Sequence, residues 1–157
     1  LECVTVLTYE AVKQFNVEPV VALTSYSNFG EYKLGSPAQI QEAVEVLQRK
    51  YPEILVDGEM SASVAFNKEL RQARYPFSPL ADKDVNTIIF PNLSSGSIAL
   101  GVLQELGNNE IIGPVLLGLN KPVHILQMGC SVRDIVYMTT LAVTDAQKET
   151  PVDMCRI

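Results

Sequence analysis

Two kinds of hydrophobic pattern alternate along the 157-residue chain. Short and nearly continuous apolar runs, typical of parallel strands buried on both faces, occur at residues 20–24, 54–56 and 85–90. Between and around these runs, apolar residues recur at helical spacing. They predict helices over residues 1–16, 36–50 and 61–71, a fourth after Gly96, and a fifth over 131–148. The alternation predicts an α/β fold in three layers, with a mostly parallel sheet and helices on both of its faces.

Residue types at the helix ends support these predictions. Ser36 has the character of an N-cap, because Pro37 follows at the first helical position and Gln39 lies three residues after the serine. Ser131 and Asp134 fit a capping box, in which a serine side chain and an acid three residues later satisfy backbone N–H groups. The run Gly107-Asn108-Asn109 predicts the C-cap of the fourth helix.

The stretch Ile111 to Val136 is the least regular part of the chain. Its apolar run, 111–119, predicts a strand, and a second short strand is expected around His124. A domain boundary is expected near 113–121, where glycine and proline interrupt the pattern. The final residues, 149–157, show no periodicity and are expected to fray.

Charge and cysteine content narrow the class of protein. The net charge is −6 and no basic stripe is present, which argues against nucleic-acid or anionic-membrane partners. No apolar run approaches the roughly 20 residues of a membrane helix. Three scattered cysteines and one histidine favour a reducing cytoplasm and argue against a metal site. The start has neither a signal-peptide pattern nor an initiator methionine, so we expect a piece of a longer protein.

Two polar loops are candidate ligand sites. In the loop Ser25 to Gly30, the hydroxyls of Ser25 and Ser27, the Asn28 amide and the Gly30 backbone are suited to a phosphate or an acyl-carrier headgroup. The alternative interpretation, which spacing alone favours, is a polar loop that only leads into its helix.

The second loop, Asn92 to Gly96, opens a helix. Asn92, Ser95 and Gly96 present free N–H groups for an anion, although simple capping explains the same residues and is compatible with a ligand.

Isolated acidic and histidine residues give weaker indications. Asp57 and Glu59 flank a glycine just past a predicted strand; paired carboxylates can bind metal or transfer protons, but capping or solvation of a turn is favoured. The presence of Asp134 is explained by its position in the first turn of a helix, without a catalytic role. His124 is interpreted as a hydrogen-bonded core or cleft residue, because no triad partner is apparent in the sequence.

Five motifs in order resemble the phosphate acetyltransferase (phosphotransacetylase) family. They are LTSYSNFG, VDGEM, FPNLSSGSIA, GPVLLGLNKPVHIL and CSVRDIVYMTTLAVTDAQ, of which the first begins at Leu23 and the last ends at Gln147. The resemblance implies a two-domain α/β fold with coenzyme A bound in the cleft between the domains. Residues 1–112 would be the second domain, and 113–148 the closing segment of the first.

The same resemblance shows what is missing. Active members usually carry a Ser-Arg pair that positions and polarises the acyl and phosphate groups, followed by an aspartate proposed as base for the thiol. Here Gln127 and Met128 occupy the Ser-Arg positions, Glu105 replaces an arginine of the preceding helix, and Asp134 remains as the residual candidate base. Transfer chemistry needs donors aimed at developing negative charge, so efficient catalysis is not expected.

Within this resemblance, SYSNFG and KPVHIL are similar to the C-terminal domain of large bacterial malic enzymes. That domain is considered regulatory and oligomerising in its family. The resemblance implies acetyl-CoA or a related acyl metabolite as effector, a homo-oligomer, and NADP and a divalent metal in an upstream part, with no cofactor in this chain. The effector would bind near Ser25 to Gly30, Asn92 to Gly96 and Lys121 to Asp134. Two alternatives stay open, namely a working acetyl- or butyryltransferase and a purely structural dimerisation module.

Overall fold

The computed structural model describes residues 1–107 and 111–147. The chain divides into two compact units, the first ending at Leu100 and the second beginning at Gly101. The predicted C-cap residues Asn108 and Asn109 and the predicted frayed tail, 149–157, lie outside the described residues. The helices and strands are α1 (Glu2–Lys13), β1 (Val21–Thr24), α2 (Ser36–Lys50), β2 (Val56–Met60), α3 (Ala62–Phe66), α4 (Lys68–Arg74), β3 (Thr87–Ile89), α5 (Leu93–Leu106) and α6 (Val132–Ala146).

The first unit is organised around a three-stranded parallel sheet in the order β2-β1-β3. All four residues of β1 are buried, as the continuous apolar run predicts. Alternate residues of β1 enter two different cores: Val21 and Leu23 pack with α1 and α2, whereas Ala22 packs with α3 and Leu80. Helices therefore cover both faces of the sheet, and the predicted three-layer α/β fold is confirmed.

The second strand differs from its prediction. It was expected to end at residue 56, but β2 continues to Met60 and contains Asp57, Gly58 and Glu59. A Cβ atom on Gly58 would lie 2.5 Å from the Leu23 carbonyl oxygen, so glycine permits the close approach of β1 and β2. The peptide bond between Gly58 and Glu59 is cis. The interpretation of both acids as turn residues is wrong, since they lie within the strand and are buried.

Two helix boundaries also differ from expectation. Gly35, not Ser36, is the N-cap of α2, and its φ of 68° turns the chain into the helix. The single helix expected over 61–71 is two helices, because Asn67 leaves helical geometry and its side chain caps α4 by accepting from Leu70 N–H. Strand β3 lies within the predicted run 85–90 but begins only at Thr87. Helix α5 begins at Leu93, inside the stretch that was predicted to be a turn before the helix.

A buried arginine joins α4 to the loop that follows it. The guanidinium of Arg71 donates to the carbonyl oxygens of Val64, Ala65, Leu80 and Lys83, and the residue is 1 % exposed. Two of these carbonyls lie in the last turn of α3, where helix geometry leaves acceptors free. Burial lowers the pKa of Arg71 from its ordinary value.

The second unit contains α6, and the predicted strands over 111–119 and around His124 do not form. A strand needs a neighbouring strand to satisfy its backbone groups, and within the described part of this unit the segment pairs with none. Most of its large apolar side chains are exposed. On α6 the predicted apolar face is also largely exposed, and Met138 is the buried residue.

None of the described helices is both long and apolar enough to cross a membrane.

Candidate functional site

The two polar loops nominated from the sequence lie at one edge of the sheet in the first unit. Strand β1 is central, and the chain leaves it toward β2 on one side and later returns to β3 on the other. In open parallel sheets, ligands bind outside the carboxyl ends of the strands at such a reversal of direction. The loop Ser25 to Gly30 follows β1 and Asn92 to Gly96 follows β3, and the Thr24 hydroxyl donates to the Ile89 carbonyl at 3.0 Å.

A buried carboxylate holds the first loop in place. Glu59 is fully buried, and its Oε1 accepts from the Ser27 hydroxyl at 2.6 Å and from Gly30 N–H at 3.0 Å. Its main-chain oxygen accepts from Phe29 N–H at 2.8 Å. Its Oε2 is buried without a hydrogen-bond partner among the described residues. Ser27 is itself fully buried, so its hydroxyl serves the loop's own structure.

The other polar groups of this loop are only partly occupied. The Ser25 hydroxyl accepts from Ser27 N–H at 3.3 Å, and Asn28 Oδ1 accepts from Ser61 N–H at 2.8 Å. The Asn28 side-chain amide donates to exposed Glu31 at 3.3 Å. Ser25, Asn28 and Gly30 are half-buried, so they are the candidate residues of this loop that a ligand could contact from solvent.

The second loop caps α5 as predicted. Asn92 Oδ1 accepts from Ser95 N–H at 3.0 Å, and the Ser95 hydroxyl lies 3.0 Å from the Asn92 carbonyl oxygen. Gly96 lies against the Phe90 ring, where an added Cβ would be in ordinary contact at 3.5 Å. The expected anion pocket at this helix start stays a prediction.

Asp57 has a separate environment. Its carboxylate accepts from the Ser78 hydroxyl at 2.5 Å. Burial raises the pKa of Asp57, although the hydrogen bonds from Ser78 and from the backbone of Gly58 act in the opposite direction. In the part of the chain that the structure describes, no group of acidic, histidine or cysteine residues is arranged to hold a metal ion.

The second unit contains a cavity of about 240 Å³ beside the start of α6. Gln104, Gln127, Met128, Cys130 and Asp134 are among the residues that line it. Isoleucines, glycines, Leu126 and Met138 complete the lining, and no lysine or arginine is present among these described residues. The lining thus combines amide side chains, a thiol and one carboxylate with apolar residues.

The carboxylate of Asp134 is committed to the helix cap. Its Oδ2 accepts from Ser131 N–H at 2.7 Å and from the Ser131 hydroxyl at 2.8 Å, and Asp134 N–H donates to the Ser131 hydroxyl oxygen at 3.2 Å. The predicted capping box is therefore confirmed. The hydrogen bond from Ser131 N–H is the main reason that the pKa of Asp134 is lowered. A carboxylate stabilised in this way is a weak base.

The remaining nominated residues lie away from this lining. Glu105 and Lys121 are exposed, and neither lines the cavity. The side chain of His124 is buried, as expected of a core or cleft histidine. The prediction that this side chain is hydrogen-bonded is wrong. Neither ring nitrogen has a hydrogen-bond partner within the described ranges, and Nε2 lies 3.7 Å from Asp145 Oδ2.

Sequence inspection missed the structural importance of Glu59 and the presence of Gln104 in the cavity wall. Glu59 lies 32 residues from Ser27 in sequence, so no local motif could pair them. The one available signal was a glutamate in a run that continues a buried strand, since such an acid must have hydrogen-bond partners. For Gln104 the sequence carried no signal.

Comparison with known proteins assigns the family. Residues 1–143 match the phosphate acetyl/butaryl transferase family. The chain is 37% identical over 147 residues to an NADP-dependent malic enzyme of Haemophilus influenzae, covering 93% of this chain and 19% of that protein. It is 35% identical over 134 residues to a phosphate acetyltransferase of Bacillus subtilis, covering 85% of this chain and 41% of that protein.

A solved structure supports the same assignment. A phosphotransacetylase from Streptococcus pyogenes matches with a TM-score of 0.85 and 35% identity, over 92% of this chain and 44% of that one. The chain thus spans about a fifth of the malic enzyme and less than half of the phosphate acetyltransferases it matches. The family match and this structural similarity agree that the chain belongs to the phosphate acetyl/butaryl transferase family.

Proposed function

We propose that the chain is the acetyl-CoA-sensing and oligomerising phosphotransacetylase-like domain of an NADP-dependent malic enzyme. Oxidative decarboxylation of malate to pyruvate would be carried by another part of that protein, together with NADP and a divalent metal. The relatives of H. influenzae and Escherichia coli, each 37% identical over 147 residues, support the malic-enzyme context.

The composition of the cavity in the second unit carries the proposal. Acyl transfer to phosphate develops negative charge on the phosphate and carbonyl oxygens, and enzymes stabilise that charge with cations or hydrogen-bond donors. At the two positions where active relatives are expected to carry serine and arginine, this chain presents Gln127 and Met128. Removing a single donor of this kind typically costs about 10²–10³-fold in rate.

The state of Asp134 supports the same conclusion. A base for the coenzyme A thiol needs a free carboxylate whose pKa approaches the working pH. Asp134 accepts two hydrogen bonds from Ser131, and its pKa is lowered. The cavity is therefore better suited to hold an acyl ligand than to transfer an acyl group.

Regulation would follow if the ligand binds one state of the whole enzyme more tightly than another. A coupling free energy of about 1–3 kcal/mol is sufficient for a measurable allosteric effect. Ligand contacts are proposed at Ser25, Asn28 and Gly30, at Asn92, Ser95 and Gly96, and at Lys121 and Asp134, whereas buried Ser27 would only hold its loop in shape. Exposed apolar side chains on α5, among them Ile98 and Leu106, support association with further copies of the chain. The proposed compartment is the cytoplasm.

Titration of the full-length protein with acetyl-CoA in a calorimeter, combined with malate turnover at each ligand concentration, tests the proposal. We expect saturable binding and a change in turnover over the same concentration range. Gln127→Ala should weaken binding, whereas Lys83→Ala, an exposed change outside the nominated regions, should not. Absence of both binding and an effect on turnover would overturn the sensing function.

The second candidate is a working phosphate acetyl- or butyryltransferase. The 35% identity to the B. subtilis phosphate acetyltransferase and the retained Asp134 favour it. An assay of coenzyme A acylation from acetyl phosphate or butyryl phosphate with the full-length protein decides between the two. Turnover that Asp134→Asn abolishes would support this candidate. A stable dimer that binds no acyl ligand would instead indicate a purely structural module.

A further inference from the structure

Two exposed tyrosines form a pair on the loop that follows the central strand. The ring centroids of Tyr26 and Tyr32 are 5.5 Å apart, and their planes meet at 65° in an edge-to-face arrangement. Tyr26 is 66% exposed and Tyr32 57% exposed. An edge-to-face contact occupies the face of only one ring of a pair, so aromatic surface remains open to solvent.

The pair is held in place from below by buried groups. Tyr32 N–H donates to the Ser27 hydroxyl oxygen at 3.2 Å, and that hydroxyl donates to Glu59 at 2.6 Å. Ser27 lies next to Tyr26 in the chain, so the same buried anchor fixes the backbone on both sides of the pair. Gly30 N–H adds a third hydrogen bond to the anchor at 3.0 Å. A surface ordered in advance loses less entropy when a ligand binds.

The position of the tyrosine pair in the fold is a second observation, independent of the hydrogen bonds that hold the loop. The loop begins at the carboxyl end of β1, where the strand order β2-β1-β3 reverses the direction of the connections. Ligands of open parallel sheets bind outside the strand ends at this point. Other exposed aromatic residues lack this combination; Phe66, for example, is 69% exposed at the end of α3, and no contact of its ring with another aromatic ring is observed in the described region.

We propose that Tyr26 and Tyr32 form a stacking site for a purine base, held in shape by the buried Ser27–Glu59 pair. Base stacking on aromatic side chains tolerates many bases because each presents a planar face. The inference rests on the proposed function in one respect, namely that the acyl-CoA effector supplies the base as its adenine. The tyrosines would then select the nucleotide end of the ligand, whereas the acyl end is recognised elsewhere.

Binding of three probes to the full-length protein tests the stacking site. The probes are acetyl-CoA, acetyl-pantetheine, which lacks the nucleotide, and adenosine 3′,5′-bisphosphate, which lacks the pantetheine arm. Tyr26→Leu should weaken acetyl-CoA and the bisphosphate about 5- to 150-fold, the range expected for one lost base stack. It should leave acetyl-pantetheine unchanged. Tyr26→Phe retains the ring and should bind like the wild type, and Phe66→Leu is the matched control on an unrelated surface.

The outcomes separate this inference from the proposed function. Binding of all probes with no dependence on Tyr26 or Tyr32 would overturn the stacking site and leave the sensing function intact. Equal weakening of acetyl-CoA and acetyl-pantetheine by Tyr26→Leu would also overturn it. Tyrosine-dependent binding of the bisphosphate without any effect of acetyl-CoA on malate turnover would support the stacking site and contradict the sensing function. If the wild type binds neither adenine-containing probe, the stacking site is overturned.

Discussion

Two serine–carboxylate pairs in this protein use the same chemistry in opposite settings. Ser131 and Asp134 are three residues apart, exposed, and close the first turn of α6. Ser27 and Glu59 are 32 residues apart, fully buried, and tie the loop after β1 to β2. The first pair could be predicted because its geometry follows from helical spacing alone. The second depends on which strands become neighbours, and it carries the part of the site that sequence inspection missed.

The largest expected effect is the loss of the buried pair. Glu59→Ala leaves the Ser27 hydroxyl and Gly30 N–H without their acceptor in a buried site, and each unsatisfied group costs about 1–3 kcal/mol. We expect a loss of about 2–5 kcal/mol in the free energy of unfolding, measured by urea denaturation. Glu59→Gln keeps an acceptor oxygen and should lose less. Equal losses in the two variants would contradict the account of this anchor.

A smaller effect is expected at the exposed pair. Ser131→Ala removes the cap of α6 and should cost about 0.5–2 kcal/mol. Since the pair is local, faster amide hydrogen exchange should be confined to the first turn of α6. Ser94→Ala, an exposed serine at the start of α5, is the control. Increased exchange throughout the sheet of the first unit would show that the cap is not a local feature.

The smallest expected effect concerns Asp57, the other buried carboxylate of β2. Burial raises its pKa, so between the ordinary pKa of an aspartate and the raised value the folded chain holds more protons than the unfolded chain. Stability contributed by this group is therefore lost as the pH rises through that window. Asp57→Asn should remove this slope from urea midpoints collected between about pH 4 and pH 7. An unchanged slope would contradict the assignment.

The comparison of a local pair with a long-range pair also explains which parts of the fold could be predicted from the sequence. The nearly continuous apolar run at 20–24 predicted β1 because burial on both faces favours apolar residues at consecutive positions of a strand. The boundary of β2 was missed because acidic residues usually indicate a turn, whereas here Gly58 allows a close approach to β1 and the neighbouring acids find buried partners. The strands expected over 111–119 and around His124 do not form, because an apolar run predicts a strand without showing what it pairs with.

The predicted site residues also divide into those explained by local hydrogen bonds and those whose role depends on residues distant in the sequence. Asn92, Ser131 and Asp134 were recognised as cap residues, and their hydrogen bonds confirm it. Ser27 was nominated for a ligand, but its hydroxyl is buried against Glu59, which favours a structural role. The departures at residues 127 and 128 could be seen in the sequence only through the family resemblance. The structure adds that both residues line one cavity with Asp134.

The most direct test of the central claim is a paired measurement on one preparation of the full-length protein. Acetyl-CoA binding is measured by calorimetry, and coenzyme A acylation from acetyl phosphate is measured under the same conditions. The account predicts saturable binding without turnover above the uncatalysed rate. The reasons are that no lysine or arginine lies among the described residues lining the cavity, and that Asp134 is held in a helix cap. Turnover that disappears in Asp134→Asn would contradict it and identify a working phosphotransacylase.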